Sequence, residues 1–391
     1  MAPARTYLDN NATSPLRPEV LAAVTAALSR VGNPSSVHAE GREARALVER
    51  ARAQVAALVG ARPEGVTFTG SGTEANATAL RPGALRNGRG QPVARLITSA
   101  TEHASVLAGH GFPPDRVQTV GARADGRLDL DQFARALDEA GDEPALVSVQ
   151  AANSETGVLQ PLAEIAALVH ARGGLLHSDA VQAAGRLSLD LHALGLDAVT
   201  LSGHKLGAPA GVGALVVAPG RAGPDFALLR GGGQEGRMRA GTENVVGIVG
   251  FGVAAEIAHQ EREAERLRLK RLRDMAESEI RRLAPEALVF GEMVERLPNT
   301  VSFAVPGLTA ETALMALDLE GVAVSSGSAC SSGKVARSHV LAAMGVPDDL
   351  ARGAIRLSFG WNSRDEDVTR FSRGFETLLH RLYERRRARA A

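Results

Sequence analysis

An α/β fold is predicted: a large domain with a mainly parallel sheet covered by helices, followed by a smaller α+β domain. Three observations carry the prediction. From Val66 to Val217 short apolar, β-type runs alternate with helical segments at the spacing of β-α-β units. Near Gly241 that alternation stops and a long, strongly charged helical stretch, 242–283, begins; its charge reads as the solvated face of a helix joining two domains. Beyond it, strands and helices mix without a regular order. A chain of 391 residues exceeds one ordinary core. The large domain is therefore placed at 15–255, and the small one at 256–391 together with 1–14.

Taken in order, residues 1–15 read as irregular, with Asn10, Asn11, Ser14 and Pro15 as turn formers. A helix from Pro18 to about Arg30 is stopped by Gly32-Asn33-Pro34. A second helix, 38–59, puts Ala44, Leu47, Val48, Ala51 and Val55 on roughly one face. The strand Val66–Thr69 runs through Gly70-Ser71-Gly72-Thr73 into a helix over Glu74–Leu80. Strands follow at 95–99, 116–120, 145–151, 174–178, 197–202 and 212–217, with helices from 104, at 129–139 and at 161–172. In the second part strands 287–290, 299–304, 322–325 and 354–359 mix with helices 309–317, 337–344 and 365–387.

Composition narrows the class. Apolar residues make up 45% and charged residues 23%, the balance of a soluble globular protein. The formal net charge is zero, which offers no electrostatic case for a nucleic-acid partner or an anionic membrane surface. No apolar run approaches a membrane span, and the start, MAPARTYLDN, lacks the apolar core of a signal peptide. The single cysteine, Cys330, excludes an intrachain disulfide and a multi-cysteine metal cluster within one chain, and suits a reducing cytoplasm.

Six stretches could carry chemistry. Ser202-Gly203-His204-Lys205 ends an apolar strand, and only three of the 44 basic residues are lysines. A lysine in apolar surroundings must pair or give up its proton, and the neutral amine is the form that makes Schiff bases. A strand-end lysine snorkelling to water fits the same segment. The turn Gly70–Thr73 opens a helix whose free N–H groups, with the Thr73 hydroxyl, suit a phosphate, or it simply caps that helix. Asp179, closing the strand before it, could hold a protonated ring nitrogen or cap the next helix. His103, after strand 95–99, could stack on a flat ligand or move a proton; a half-buried histidine satisfied by backbone is the alternative. Cys330 sits among small polar residues with Lys334 and Arg337 nearby, a setting that favours a reactive thiolate over a structural thiol. On strand 354–359, Arg356 must find an anion if it points inward.

A Schiff-base lysine, an aspartate for a pyridinium, a phosphate turn and a stacking histidine, in this order, describe a pyridoxal-phosphate site. The chain resembles the cysteine desulfurases of the NifS/IscS type, in the class-V aminotransferase group of fold-type I pyridoxal-phosphate enzymes. The resemblance runs from Tyr7–Thr13 to Arg356–Gly360 and rests most on GNPSSVH (32–38), TEHASVL (101–107), NSETG (153–157), HSDAVQ (177–182), SGHK (202–205), RAGTEN (239–244) and SSGSAC (325–330). It implies the cofactor pyridoxal 5'-phosphate, with Lys205 as the Schiff-base lysine and general base, Asp179 on the pyridine nitrogen and His103 stacked on the ring. Asn153 and Gln182 would then bind the ring's phenolic oxygen, and Gly72, Thr73, Ser202 and His204 the phosphate. Thr242 would reach the neighbouring subunit's phosphate, which implies a homodimer. Arg356, helped by Asn153, would bind the carboxylate of L-cysteine.

Cys330 would be the nucleophile that takes the sulfur as a persulfide and hands it to an acceptor protein, an iron–sulfur scaffold or a tRNA-thiolation protein. No resident metal is implied, although Cys330 could ligate an iron–sulfur cluster transiently with a partner. Two positions depart from the family pattern: Ala210 stands where a lysine is common, and Ser154 where a second asparagine is usual. The rival readings are a selenocysteine lyase or another class-V β-lyase or aminotransferase, and a scaffold protein with a degenerate cofactor pocket.

Overall fold

The computed structural model describes residues 5–91, 93–141, 143–223, 225–326 and 337–390. The chain opens with β1 (Thr6–Tyr7), α1 (Pro18–Leu28) and α2 (Ala39–Leu58). It continues through β2 (Val66–Thr69), α3 (Gly72–Ala79), β3 (Arg95–Ser99), α4 (Ala104–Leu107), β4 (Val117–Val120) and α5 (Leu130–Glu139). Next come β5 (Ala145–Ser148), α6 (Leu162–Ala171), β6 (Leu175–Asp179), β7 (Ala198–Ser202), β8 (Gly213–Val217) and α7 (Val245–Leu283). The rest is β9 (Leu288–Val289), β10 (Thr300–Ala304), α8 (Ala310–Leu319), β11 (Val322–Ala323), α9 (His339–Ala343), α10 (Asp348–Ala351), β12 (Ile355–Ser358) and α11 (Asp365–Ala390).

Among the described residues the central sheet has seven strands in the order β2-β8-β7-β6-β5-β3-β4. From β7 to β4 every pairing is parallel, as the alternation of strands and helices predicts. β8 runs antiparallel to both β7 and β2, because residues 203–212 return the chain directly without a crossover helix. β2 therefore points the same way as β7, and the carboxyl ends of β2, β3, β5, β6 and β7 share one edge. Every residue of β6, β7 and β8 is buried, which is why these strands read as largely apolar runs, with the polar residues of β6 gathered at its carboxyl end.

α1 and α2 pack on the first half of α7. A Cβ at Gly252 would lie 2.6 Å from Ala51 Cα, so α2 and α7 approach this closely only because the position is glycine. α7 threads two cores: Ile248, Phe251, Ala254 and Ala258 belong to the one around the central sheet. Leu269, Leu272, Ala276 and Ile280 belong to another, with Leu8, Val301, Phe303, Phe371 and Phe375. In that second core Phe303 meets Phe375 edge-on at 5.5 Å, and Phe371 stacks on Phe375 at 5.4 Å.

The opening segment is a correction. Read as irregular, it carries β1, which pairs parallel with β11 so that Thr6 faces Val322. Two residues show no periodicity, and the partner strand lies far along the chain. No helix of the described residues is long and apolar enough to cross a membrane.

Candidate active site

β2, β3, β5, β6 and β7 each lead at the shared edge into one of the expected side chains. Asp179 is the last residue of β6 and lies opposite Thr200 of β7. Lys205 closes the single turn 203–205 that follows β7 directly. Its half-buried ammonium donates to the carbonyl oxygens of Asn11 at 2.5 Å and Ala12 at 2.7 Å. Burial and the nearby guanidiniums of Arg186 and Arg356 push its pKa down to about 8, while Asp9 and Asp179 pull it the other way. Lys205 therefore turns into the site rather than snorkelling free.

Asp179 caps no regular helix. Its Oδ1 accepts the backbone N–H of Val181 at 3.0 Å and its Oδ2 accepts Asn76 Nδ2 at 2.8 Å. A carboxylate has about four acceptor positions, so two such donors leave room for a ring N–H. Beside it, Gln182 donates from Nε2 to Asn11 O at 3.0 Å, and its Oε1 accepts Arg186 Nη1 at 2.7 Å. The Gln182 amide is thus oriented with its NH2 group toward the carbonyl that Lys205 also holds.

The turn Gly70–Thr73 opens α3 at the same edge. Ser71 is the N-cap of α3, its hydroxyl accepting Glu74 N at 3.1 Å. A Cβ on Gly72 would sit 3.3 Å from Ser202 Cβ and 3.1 Å from Val181 Cγ2, so the helix N-terminus presses on the end of β7. Thr73 is exposed at this rim. His204 bonds Thr13 Oγ1 through Nδ1 at 3.2 Å. Burial and Lys205 lower the His204 pKa to about 4, so the ring is neutral at pH 7 and would serve an anion only as an N–H donor. Glu74 accepts Gly70 N at 2.7 Å and pairs with Arg239 at 2.9 Å, tying the RAGTEN segment to the same turn.

His103 and Asn153 flank the crevice between β3 and β5, where the strand order reverses. His103 is exposed and caps α4, its Nδ1 accepting Ser105 N at 3.1 Å. Asn153 is buried; its Oδ1 accepts the N–H groups of Glu155 and Thr156, and its Nδ2 donates to Thr101 O at 3.1 Å. One Nδ2 hydrogen remains for a ligand. Arg356, on β12, points inward and finds its anion in Asp9 at 2.6 Å, with Ser154 O accepting Nη1 at 2.9 Å. Its buried Nε has no partner among the described residues, an open donor suited to a substrate carboxylate.

Cys330 and Lys334 lie outside the described residues. The chain on either side is at this edge. Ser325 exchanges backbone hydrogen bonds with Arg356 at 2.7 and 3.1 Å. Ser338 donates to Glu155 Oε2 at 2.6 Å, and His339 Nε2 meets Glu102 O at 2.9 Å. Thr242 is exposed in the loop before α7 and shares no hydrogen bond with the other site residues among the described ones. The residues that sequence reasoning passed over are Asp9, Asn11, Asn76 and Arg186. The segment Tyr7–Thr13 stood out only as part of the resemblance, and nothing in its composition ties it to Lys205.

Fold and site together are those of a fold-type I pyridoxal-phosphate enzyme, since the open lone pairs of Asp179 and the Gly72–Ser202 cup fit that cofactor, while Arg356 Nε, without a partner among the described residues, suits a substrate carboxylate. The family model for class-V aminotransferases matches residues 6–371. A cysteine desulfurase of Gluconacetobacter diazotrophicus is 43% identical over 97% of this chain and 94% of that protein. The cysteine desulfurase NifS of Azotobacter vinelandii is 40% identical over 97% of this chain and 94% of its own length. The X-ray structure of a NifS-like protein from Rickettsia africae superposes with a TM-score of 0.87 at 33% identity, covering 96% of this chain and 99% of that one. The chain belongs to the class-V aminotransferase family, and within it to the cysteine desulfurases of the NifS/IscS type.

Proposed function

We propose that this chain converts L-cysteine to L-alanine and passes the sulfur to Cys330 as a persulfide, with the site residues acting as follows. The observation that carries the reading is Lys205, a half-buried amine of lowered pKa just after β7, beside Asp179 at the end of β6. When bound, pyridoxal phosphate supplies the electron sink that makes the substrate's α-proton removable. Asp179 would hold the ring nitrogen protonated, and Gln182 and Asn153 would donate to the phenolic oxygen. Gly72, Thr73, Ser202 and His204 would take the phosphate, and Thr242 the phosphate of a neighbouring subunit. His103 would cover the ring face and move protons at Nε2. Arg356 would seat the substrate carboxylate, and Lys205, at its depressed pKa, would take the α-proton.

Cys330 Sγ would attack the substrate sulfur, forming an S–S bond as the C–S bond breaks, with the electron pair left on carbon. A second copy of the chain is supported by Leu28, Val31 and Val37, apolar side chains 66%, 86% and 88% exposed in the segment around GNPSSVH. The two cores threaded by α7 support a division within that helix near the proposed boundary of 15–255 and 256–391 with 1–14, Ala258 still packing in the first core and Leu8 in the second. The lone thiol favours the cytoplasm, where an acceptor such as an iron–sulfur scaffold or a tRNA-thiolation protein would collect the sulfur.

The test is a pair of variants. Lys205→Ala is expected to abolish both the visible band of the bound cofactor and turnover. Cys330→Ala should keep the band but lose sulfide release from L-cysteine. A band unchanged in Lys205→Ala contradicts the lysine assignment. Undiminished desulfuration by Cys330→Ala contradicts the nucleophile.

A further inference from the structure

Two residues with no part in the roles above join the two groups that would meet the ring, one at its nitrogen and one on its face. Asn76, on α3, is buried and gives both hydrogens of Nδ2 away, one to Asp179 Oδ2 at 2.8 Å and one to Ser105 Oγ at 2.9 Å. Its Oδ1 is buried without a partner among the described residues. The amide cannot be turned over, because that would aim Oδ1 at the Asp179 carboxylate. Ser105 Oγ accepts from Asn76, so its own hydrogen is directed to His103 Nδ1, 2.8 Å away. The backbone N–H of Ser105, which can only donate, meets the same ring nitrogen at 3.1 Å. Two donors converge on Nδ1.

We propose that Asn76 and Ser105 are positioning residues that transmit the orientation of the Asp179 carboxylate to His103, fixing its imidazole as the tautomer with Nδ1 bare and the proton on Nε2. The proposal rests on the reading above, in which Asp179 and His103 face the cofactor from its edge and its face. It adds a direction to His103's chemistry: proton exchange is confined to Nε2. The partnerless Asn76 Oδ1 marks the cost of the arrangement, since a buried amide oxygen without a donor is retained only where the NH2 end is needed.

The measurement is nitrogen NMR of the cofactor-loaded protein with labelled histidine, the His103 signals being identified by their loss in His103→Gln. The expected wild-type result is an unprotonated Nδ1 and a protonated Nε2. Ser105→Ala leaves only the backbone N–H on Nδ1 and Asn76→Leu frees the Ser105 hydroxyl to accept, so each is expected to add a minor form protonated at Nδ1, and Ser105→Thr, which keeps the hydroxyl, to restore the single form. A wild-type His103 protonated at Nδ1, or one tautomer unchanged in both Asn76→Leu and Ser105→Ala, overturns the proposal. The visible band of Asp179→Ala separates this from the underlying reading. A tautomer that shifts in Asn76→Leu while that band stays as in the wild type upholds the relay and removes Asp179 from the cofactor. A band that depends on Asp179 beside an unmoved tautomer removes the relay alone.

Discussion

The ammonium of Lys205 and the NH2 group of Gln182 converge on one backbone carbonyl, that of Asn11, at 2.5 and 3.0 Å. Asn11 follows β1, whose pairing with β11 belongs to the second core, so the lysine that ends a strand of the large sheet is held from the other core. The amine's reactivity depends on that arrangement.

The pKa of Lys205 falls from an ordinary 10.5 to about 8, chiefly through burial and then through Arg186 and Arg356. Only the neutral amine adds to a carbonyl, and a lowered pKa makes it neutral at lower pH. The rate at which the cofactor-free protein takes up pyridoxal phosphate should therefore rise with pH to a plateau above about 8. Arg186→Met removes one of the two cations and should move the midpoint upward. A midpoint at the ordinary lysine value in the wild type would contradict the electrostatic account.

Arg356 has Asp9 and Ser154 O on its two terminal nitrogens and an open Nε. Arg356→Lys keeps the charge but loses the planar fork, so the substrate carboxylate loses a charge-assisted hydrogen bond worth about 1.5–3 kcal/mol. The kcat/KM for L-cysteine should drop roughly 10- to 150-fold by that energy. The visible band of the bound cofactor should stay. Steady-state kinetics beside the absorption spectrum checks both halves.

At the phosphate cup, Gly72→Ala places a methyl 3.3 Å from Ser202 Cβ and 3.1 Å from Val181 Cγ2. The cup must open by a few tenths of an ångström, and retention of the cofactor on dialysis should weaken. Ser202→Ala should weaken it too, by about 1 kcal/mol for one neutral hydrogen bond, or roughly fivefold. Titration of cofactor into the apoprotein measures both.

A fourth expectation concerns stability. Arg52 holds Glu235 through two contacts at 2.7 and 2.8 Å, and Glu235 also accepts Phe68 N at 2.9 Å. Glu235 is almost wholly buried, so Arg52→Met strands a charge, at a cost of about 3–5 kcal/mol. The double variant Arg52→Met, Glu235→Gln should recover most of that loss in denaturant unfolding. Equal destabilisation of single and double variants would show that packing, not the ion pair, dominates.

How far the molecule was legible in its sequence follows from the range of each interaction. β6 and β7 were readable because both faces are buried and most of their residues are apolar or small, and their ends therefore placed Asp179 and Lys205. The antiparallel β8 was not readable as such, since strand direction leaves no mark on composition. β1 escaped because two residues carry no period. Asp9 and Arg356 were separately visible as charges, yet their pairing at 2.6 Å depends on β12 lying beside the N-terminal segment, a tertiary relation. Asn76 looked like an ordinary helical residue after a phosphate turn; only the fold brings it against Asp179.

The central claim is that Lys205 and Cys330 divide the work, the amine handling the cofactor and the proton, the thiol taking the sulfur. Mass spectrometry of the cofactor-loaded protein after brief exposure to L-cysteine tests it most directly. The account predicts one added sulfur atom, mapped to the peptide carrying Cys330, removed by a thiol reductant and absent in both Lys205→Ala and Cys330→Ala. L-alanine formed by the wild type with no sulfur on Cys330 would contradict it.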